Sequence, residues 1–236
     1  MATVKIKLVN NASPITLAPD LPILGRLPNG NPYSIVLLSS SHLSRETMET
    51  LFTILDQNMY LLQSKSSFPY TKTEKMAEMF DSDSRFLLLF NSHIDITSQS
   101  CPLHGSSLKR SGSWQREGEI AGFAEFRFDT EETLSDRDAE VVYLYEIQFL
   151  QTMRGQGIAR KMMGIVEEIG KRAEMEKVML TCLKSNQGAL EFYKKLGYEP
   201  DEIDLSKMDQ ERSGSDNGDK AEDIEVDYVI LSKSLS

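Results

Sequence analysis

Residues 140–198 read EVVYLYEIQFLQTMRGQGIARKMMGIVEEIGKRAEMEKVMLTCLKSNQGALEFYKKLGY, and at their centre lies Arg154-Gly155-Gln156-Gly157-Ile158-Ala159. The apolar run before this hexapeptide, residues 140–150, has the composition of a strand. After it, Ile158, Met162, Ile165, Val166, Ile169 and Ala173 recur at helical spacing, which predicts an amphipathic helix over 155–174. Residues 177–183 (KVMLTCL) then read as a short apolar strand. Residues 186–196 read as a second helix, with Ala189, Phe192, Tyr193 and Leu196 inward and Gly197 in the C′ position. A strand, a glycine turn and a helix together make an anion site. The first N–H groups of a helix lack intrahelical acceptors and sit at the positive end of its dipole. Gly155 and Gly157 let a ligand approach the backbone, Ala159 keeps the first turn uncluttered, and Arg154 and Arg160 add charge. No Gly-Lys-Ser/Thr follows, so this is not a P-loop, and without G-x-G-x-x-G it is not a dinucleotide fingerprint. For the hexapeptide alone, a tight strand-to-helix turn is the alternative.

Working outward, residues 1–32 carry Pro14, Pro19, Pro22 and Pro28 and read as an extended lead-in to one domain spanning 33–236. Residues 33–39 are a strand. Ser44 can cap a helix whose Met48, Leu51, Phe52, Leu55, Met59 and Leu62 keep helical spacing. Residues 72–80 suit a shorter helix, and 85–90 (RFLLLF) a strand buried on both faces. Residues 91–118 have no period and read as a long surface loop. Residues 119–129 and 140–150 are strands, expected as antiparallel neighbours. Residues 206–222 are polar, acidic and expected to be disordered, and 225–232 (EVDYVILS) close the chain as a strand. The order predicts a single α/β domain with a mixed central sheet flanked by helices.

The net charge of −10 is uneven: residues 201–227 carry eleven Asp/Glu against three Lys/Arg. Such a balance disfavours nucleic acid, which needs a basic footprint, and suits a cationic partner such as a basic peptide or a polyamine. Solvated acidic loops are the plainer reading. No run approaches the roughly 18 apolar residues of a membrane span. Residues 1–30 lack a signal-peptide core, which predicts that the protein stays inside the cell, with no membrane partner. Two cysteines, Cys101 and Cys182, predict a reducing compartment. His42, His93 and His104 match no metal-ligand spacing, so no metal is expected.

Within the strand over 141–149, Val, Tyr, Tyr, Ile and Phe alternate with Val, Leu, Glu and Gln, so both faces are largely apolar and Glu146 lies inside a central strand. A carboxylate buried there must be paired or must favour its proton, and a carboxyl group that favours its proton is suited to take one from an amine. A structural salt bridge to an Arg or Lys is the competing role. Tyr143 and Tyr145 also fit as core aromatics.

R-x-x-G-x-A opening a helix, a short strand, and then N-x-x-A-x-x-F-Y-x-K-L-G-Y from Asn186 to Tyr198 resemble the acetyl-CoA core of the GNAT superfamily. The further run Y-x-Y-E-I-Q, R-G-Q-G-I-A, K-V-M-L-T-C-L-K-S-N-Q-G-A and the closing D-Y-V-I-L-S are similar to one branch, NatD, over residues 33–232. The resemblance implies an N-α-acetyltransferase. Its co-substrate is acetyl-CoA, and its partners are the Ser-Gly-Arg-Gly tails of histone 4 and histone 2A, with no auxiliary subunit. It implies that the backbone of Ile147, Gln148 and Phe149 pairs with the pantetheine arm, and that Arg154 and the N–H groups from Gly155 to Arg160 hold the pyrophosphate. Asn186 is then a cofactor ligand as well as a helix N-cap. Glu146 becomes the general base and Tyr145 binds the substrate backbone beside it. Tyr143, Asp129, Thr130, Glu131, Thr181 and Tyr228 complete the peptide site, and the strand backbone can meet the oxyanion. Tyr193 stands where many such enzymes keep an acid for the CoA thiolate, with a core role as the alternative. Cys182 is not expected to be a nucleophile. The chain departs from the branch at Gln63, where the branch has an aromatic residue, and at Phe68 and Tyr70, where it has tryptophans. The rival functions are a GNAT enzyme for polyamines or lysine side chains, and an acidic histone-binding module with a vestigial CoA site.

Overall fold

The computed structural model describes residues 3–91, 118–205, 207 and 226–236. The loop expected over 91–118 and the acidic segment over 206–222 fall almost wholly outside the described residues, Cys101, His93 and His104 with them. The segment before residue 33 is not an extended lead-in. It forms α1 (Val4–Asn10), α2 (Pro14–Leu17) and strand β1 (Ile23–Arg26). The prolines that suggested extended chain act otherwise: Pro14 occupies the first turn of α2 behind the Ser13 cap, where its missing N–H costs nothing. Ile6 and Leu17 anchor these helices in the core.

Next come β2 (Pro32–Ser39), α3 (Arg45–Gln63), α4 (Lys72–Met79), β3 (Arg85–Phe90), β4 (Ile120–Glu131) and β5 (Ala139–Phe149). The chain then runs through α5 (Ile158–Arg172), β6 (Lys177–Leu183), α6 (Gln187–Lys195), β7 (Glu199–Pro200) and β8 (Tyr228–Ser234). Ser44 caps α3 as its sequence predicts, its side chain accepting from the Thr47 N–H, and Thr71 with Glu74 makes a capping box on α4. One sheet runs β1-β2-β3-β4-β5-β6-β8-β7, antiparallel except where β5 meets β6. Helices α5 and α6, with α1 and α2, bury their apolar stripes on one face, and α3 with α4 covers the other over β2, β3 and β4.

Two irregularities in β5 decide the site. First, Glu125 of β4 lies opposite Glu146 but Phe126 lies opposite Leu144, so Tyr145 is an extra residue, a β-bulge on β5. Simple alternation would put Leu144 and Glu146 on one face. The bulge separates them: Val142 and Leu144 enter the core beneath α5, whereas Glu146 and Gln148 turn to α3 and α4. Second, β5 and β6 pair only from Val141↔Lys177 to Leu144↔Leu180. Beyond that point β5 stays with β4 as far as Phe149, and β6 goes with β8 as far as Leu183↔Tyr228. The two strands part, and a cleft opens between them.

Candidate active site

The cleft holds about 1180 Å³. Its walls are β5 from Tyr143 to Phe149, the loop and first turn of α5 from Met153 to Arg160, the end of β6, α6, and the inner sides of α3 and α4. Among the described residues, the edge of β5 that turns towards β6 has no strand partner after Leu144, so the stretch from Ile147 to Phe149 lines the cleft with an edge that β6 does not cover.

At one end stands the glycine loop. Gly155 has φ +74° and Gly157 φ +79°, the left-handed region, and a side chain at either would meet nothing within 4 Å. These glycines are therefore set by backbone conformation and by open space on the cleft side. The first intrahelical bond of α5 is from Lys161 N–H to the Gly157 carbonyl at 3.2 Å. The N–H groups of Ile158, Ala159 and Arg160 precede it without a helical acceptor. Asn186, at the other wall, caps α6 by accepting from the Ala189 N–H at 3.3 Å. These features fit a CoA molecule: a donor-rich turn for its pyrophosphate and an open strand edge for its amide-bearing arm.

Glu146 lies at the middle of the cleft, 7% exposed. Of the two ways to accommodate it, the structure uses pairing. Lys75 of α4 reaches Glu146 Oε1 at 2.9 Å, and Gln148 Nε2 donates to Oε2 at 2.9 Å. Lys75 is itself 5% exposed and also holds Glu78 at 3.0 Å. Burial opposes its charge, but the Glu146 and Glu78 carboxylates outweigh burial and hold the ammonium above the usual lysine range. The salt bridge is thus present, and it leaves Glu146 on the cleft wall.

The residues that sequence reasoning missed lie on α3 and α4. Asn58 Nδ2 donates to Gln148 Oε1 at 3.0 Å and to the Phe149 carbonyl at 3.1 Å, and Asn58 Oδ1 accepts from Arg154. A continuous chain therefore links Arg154 of the anion loop, through Asn58 and Gln148, to Glu146 and Lys75. The apolar stripe of α3 was legible, and residues 72–80 read only as a shorter helix. Their polar inward residues had no signal of their own, because a lone Asn or Lys on an apolar stripe reads as a solvated neighbour.

The other end of the cleft is aromatic. Tyr143 shares a hydrogen bond of 2.6 Å with Thr181, and its ring lies 5.0 Å from that of Tyr145. Burial pushes the Tyr143 phenol up to about 12 and raises that of Tyr145. The Arg127 guanidinium covers the Tyr145 ring at 4.2 Å. Tyr228 does not line the cleft but packs at 5.1 Å on Phe68, which does, and Asp227 accepts from Ser67 N–H and Oγ at 2.8 and 2.7 Å. Asp129, Thr130 and Glu131 lie on β4 beyond the cleft proper. Asp129 and Glu131 are close enough to act on the tyrosines electrostatically. Gln63 and Tyr70, where the NatD branch has aromatics, line the cleft, and Tyr60 packs edge-on against Tyr70 at 6.4 Å. Tyr193 is buried among Phe192 and Tyr198, and burial, with Cys182 and Glu146 nearby, raises its phenol. Among the described residues no group of three His, Cys, Asp or Glu is placed to hold a metal.

The model of the acetyltransferase (GNAT) family matches residues 68–198, more than half of the chain. The chain belongs to this family, whose fold binds acetyl-CoA for acetyl transfer. Solved structures share the fold at low identity. The GNAT domain of S. lividans PAT superposes with TM-score 0.52 at 11% identity, over 90% of this chain and 96% of that one. Arabidopsis thaliana NAA60, solved with a bisubstrate analogue, gives 0.50 at 14% identity, over 86% and 99%. A putative GNAT acetyltransferase from Desulfovibrio desulfuricans gives 0.50 at 9% identity, over the same shares.

Proposed function

We propose that the chain is an N-α-acetyltransferase of the NatD type, acting on the N-terminal serine of histone 4 and histone 2A in the cytoplasm and nucleus. The observation that carries this reading is the place of Glu146. It sits where β5 and β6 part, between the anion loop on one side and the Tyr143–Tyr145–Thr181 pocket on the other.

Acetyl-CoA supplies the acetyl group as a thioester. Glycines 155 and 157 with the first turn of α5 hold its pyrophosphate, and the open edge of β5 holds its arm. An α-ammonium cannot attack a carbonyl, so Glu146 accepts its proton, directly or through one water. The freed amine forms the C–N bond as the C–S bond breaks, and a β5 N–H meets the carbonyl oxygen. The proton that the new amide nitrogen sheds matches the one the leaving thiolate takes up, and Tyr193, buried beside Phe192 and Tyr198, keeps a core role.

Beyond the tyrosines, burial and then Asp129 push the Glu131 carboxyl up. A guanidinium would relieve that pair, which suits the arginine of Ser-Gly-Arg-Gly. Glu131→Gln is expected to raise KM for that peptide by about tenfold with KM for acetyl-CoA unchanged, measured by steady-state kinetics.

Cys182 supports direct transfer rather than an acetyl-enzyme: burial pushes its thiol up to about 11, so it is not a thiolate at neutral pH. Cys182→Ala is expected to keep turnover within about threefold of the parent, and intact mass spectrometry after mixing with acetyl-CoA alone should find no acetylated protein. The function is tested by comparing a Ser-Gly-Arg-Gly peptide extended by a lysine with the same peptide already N-acetylated. Turnover of the first only is expected, and equal turnover of both would favour lysine side chains.

A further inference from the structure

Directly across the ladder from Glu146 stands a second carboxyl group, Glu125 of β4, fully buried. It is not part of the cleft wall but lies behind it. Its Oε1 accepts from Ser84 Oγ at 3.0 Å and faces Arg127 Nη2 at 3.3 Å, while its Oε2 is buried with no partner among the described residues. The cations nearby are already committed. Lys75 holds Glu146 and Glu78. Arg127 also donates from Nε to Ser84 Oγ at 2.9 Å and from Nη2 to the Glu78 carbonyl, and its face covers Tyr145. The groups around Glu125 are thus Lys75 and Glu78 from α4, Ser84 before β3, Arg127 from β4 itself, and Tyr145 and Glu146 from β5. Its β3 neighbour in the ladder is the apolar Phe86.

An ionised carboxylate needs donors at both oxygens when it is removed from water, and here one oxygen has none. We infer that Glu125 is a positioning residue for Glu146: its own protonation state sets how strongly Glu146 accepts the proton of the substrate amine, an inference that rests on Glu146 as the base. The electrostatics agree. Burial pushes the Glu125 carboxyl up to about 8; Arg127, Ser84 and Lys75 pull it down, and Glu146 adds to the rise. At neutral pH Glu125 is therefore mainly the neutral acid, and Lys75 is left to Glu146 and Glu78. As Glu125 ionises at alkaline pH, a second negative charge faces Glu146 across the ladder and makes it a stronger proton acceptor.

The test is Glu125→Gln, a neutral mimic of the acid form, read in two ways. In steady-state kinetics on the Ser-Gly-Arg-Gly peptide, the ratio of mutant to parent kcat should lie near one at about pH 6 and fall at least ~3-fold by about pH 9. A ratio independent of pH overturns the inference. The second readout needs no substrate. The raised carboxyl binds a proton in the folded state that the unfolded chain releases. Its contribution to stability is full below about pH 4.5 and is lost as pH rises to about 8. The parent Tm should therefore fall relative to that of Glu125→Gln between about pH 5 and pH 9. Parallel melting curves overturn the inference whatever the substrate. A parent inactive on the peptide but with diverging melting curves counts against the proposed function instead. Should the Gln variant not fold, Ser84→Ala serves: it removes a donor from Glu125, so the melting divergence from its parent should extend to higher pH, and an unshifted curve overturns the inference.

Discussion

Glu146→Gln is expected to lower kcat by about 10²–10⁴-fold, the usual contribution of a positioned general base, while KM for acetyl-CoA stays within about twofold. The two effects separate because the anion loop and the open edge of β5 do not depend on the charge at 146. The amide retains an oxygen for Lys75 to meet, so the cleft keeps its shape. What is lost is a group able to take a proton from an ammonium. The measurement is steady-state kinetics with saturating peptide, with acetyl-CoA binding followed by calorimetry. An undiminished kcat would remove Glu146 from the chemistry and favour a histone-binding role for the fold.

Lys75→Met has the second large effect, and it acts on stability as well as rate. The substitution leaves Glu146 buried with only Gln148 as donor, and breaking a buried ion pair from one side costs about 3–5 kcal/mol. Lys75 is also the group that fixes the carboxylate for the substrate amine. Melting temperature and kcat should therefore fall together. In the double variant Lys75→Met, Glu146→Gln, stability should return towards the parent while activity does not. Urea unfolding of the four proteins of this cycle checks the coupling. Additive losses of stability would mean that the 2.9 Å contact contributes little.

The strand–loop–helix over β5 and α5 was legible because each signal is local: an apolar run, a pair of glycines and a helical apolar stripe. Those residues alone predict an anion site at a helix start; CoA enters only with the family resemblance. Three features were not legible for physical reasons. The bulge at Tyr145 leaves no mark in the alternation of β5, since the partner register that creates it belongs to β4. The helices and strand before residue 33 were hidden by prolines that fit a helix start as well as a loop. The partners of Glu146 come from α3 and α4, some 70 and more residues earlier in the chain, and no spacing rule connects Lys75 or Asn58 to a strand so distant. The sequence could state that a buried carboxylate needs a partner, but only the packing of α4 on the sheet shows which.

The arrangement of the cleft has a direct test. The protein is incubated with acetyl-CoA and a Ser-Gly-Arg-Gly peptide that also carries an internal lysine, and the product is fragmented in the mass spectrometer. A single acetyl group on the α-nitrogen of the first serine is the predicted result. An acetyl group on the lysine with the terminal amine untouched, or no transfer at all, would contradict it.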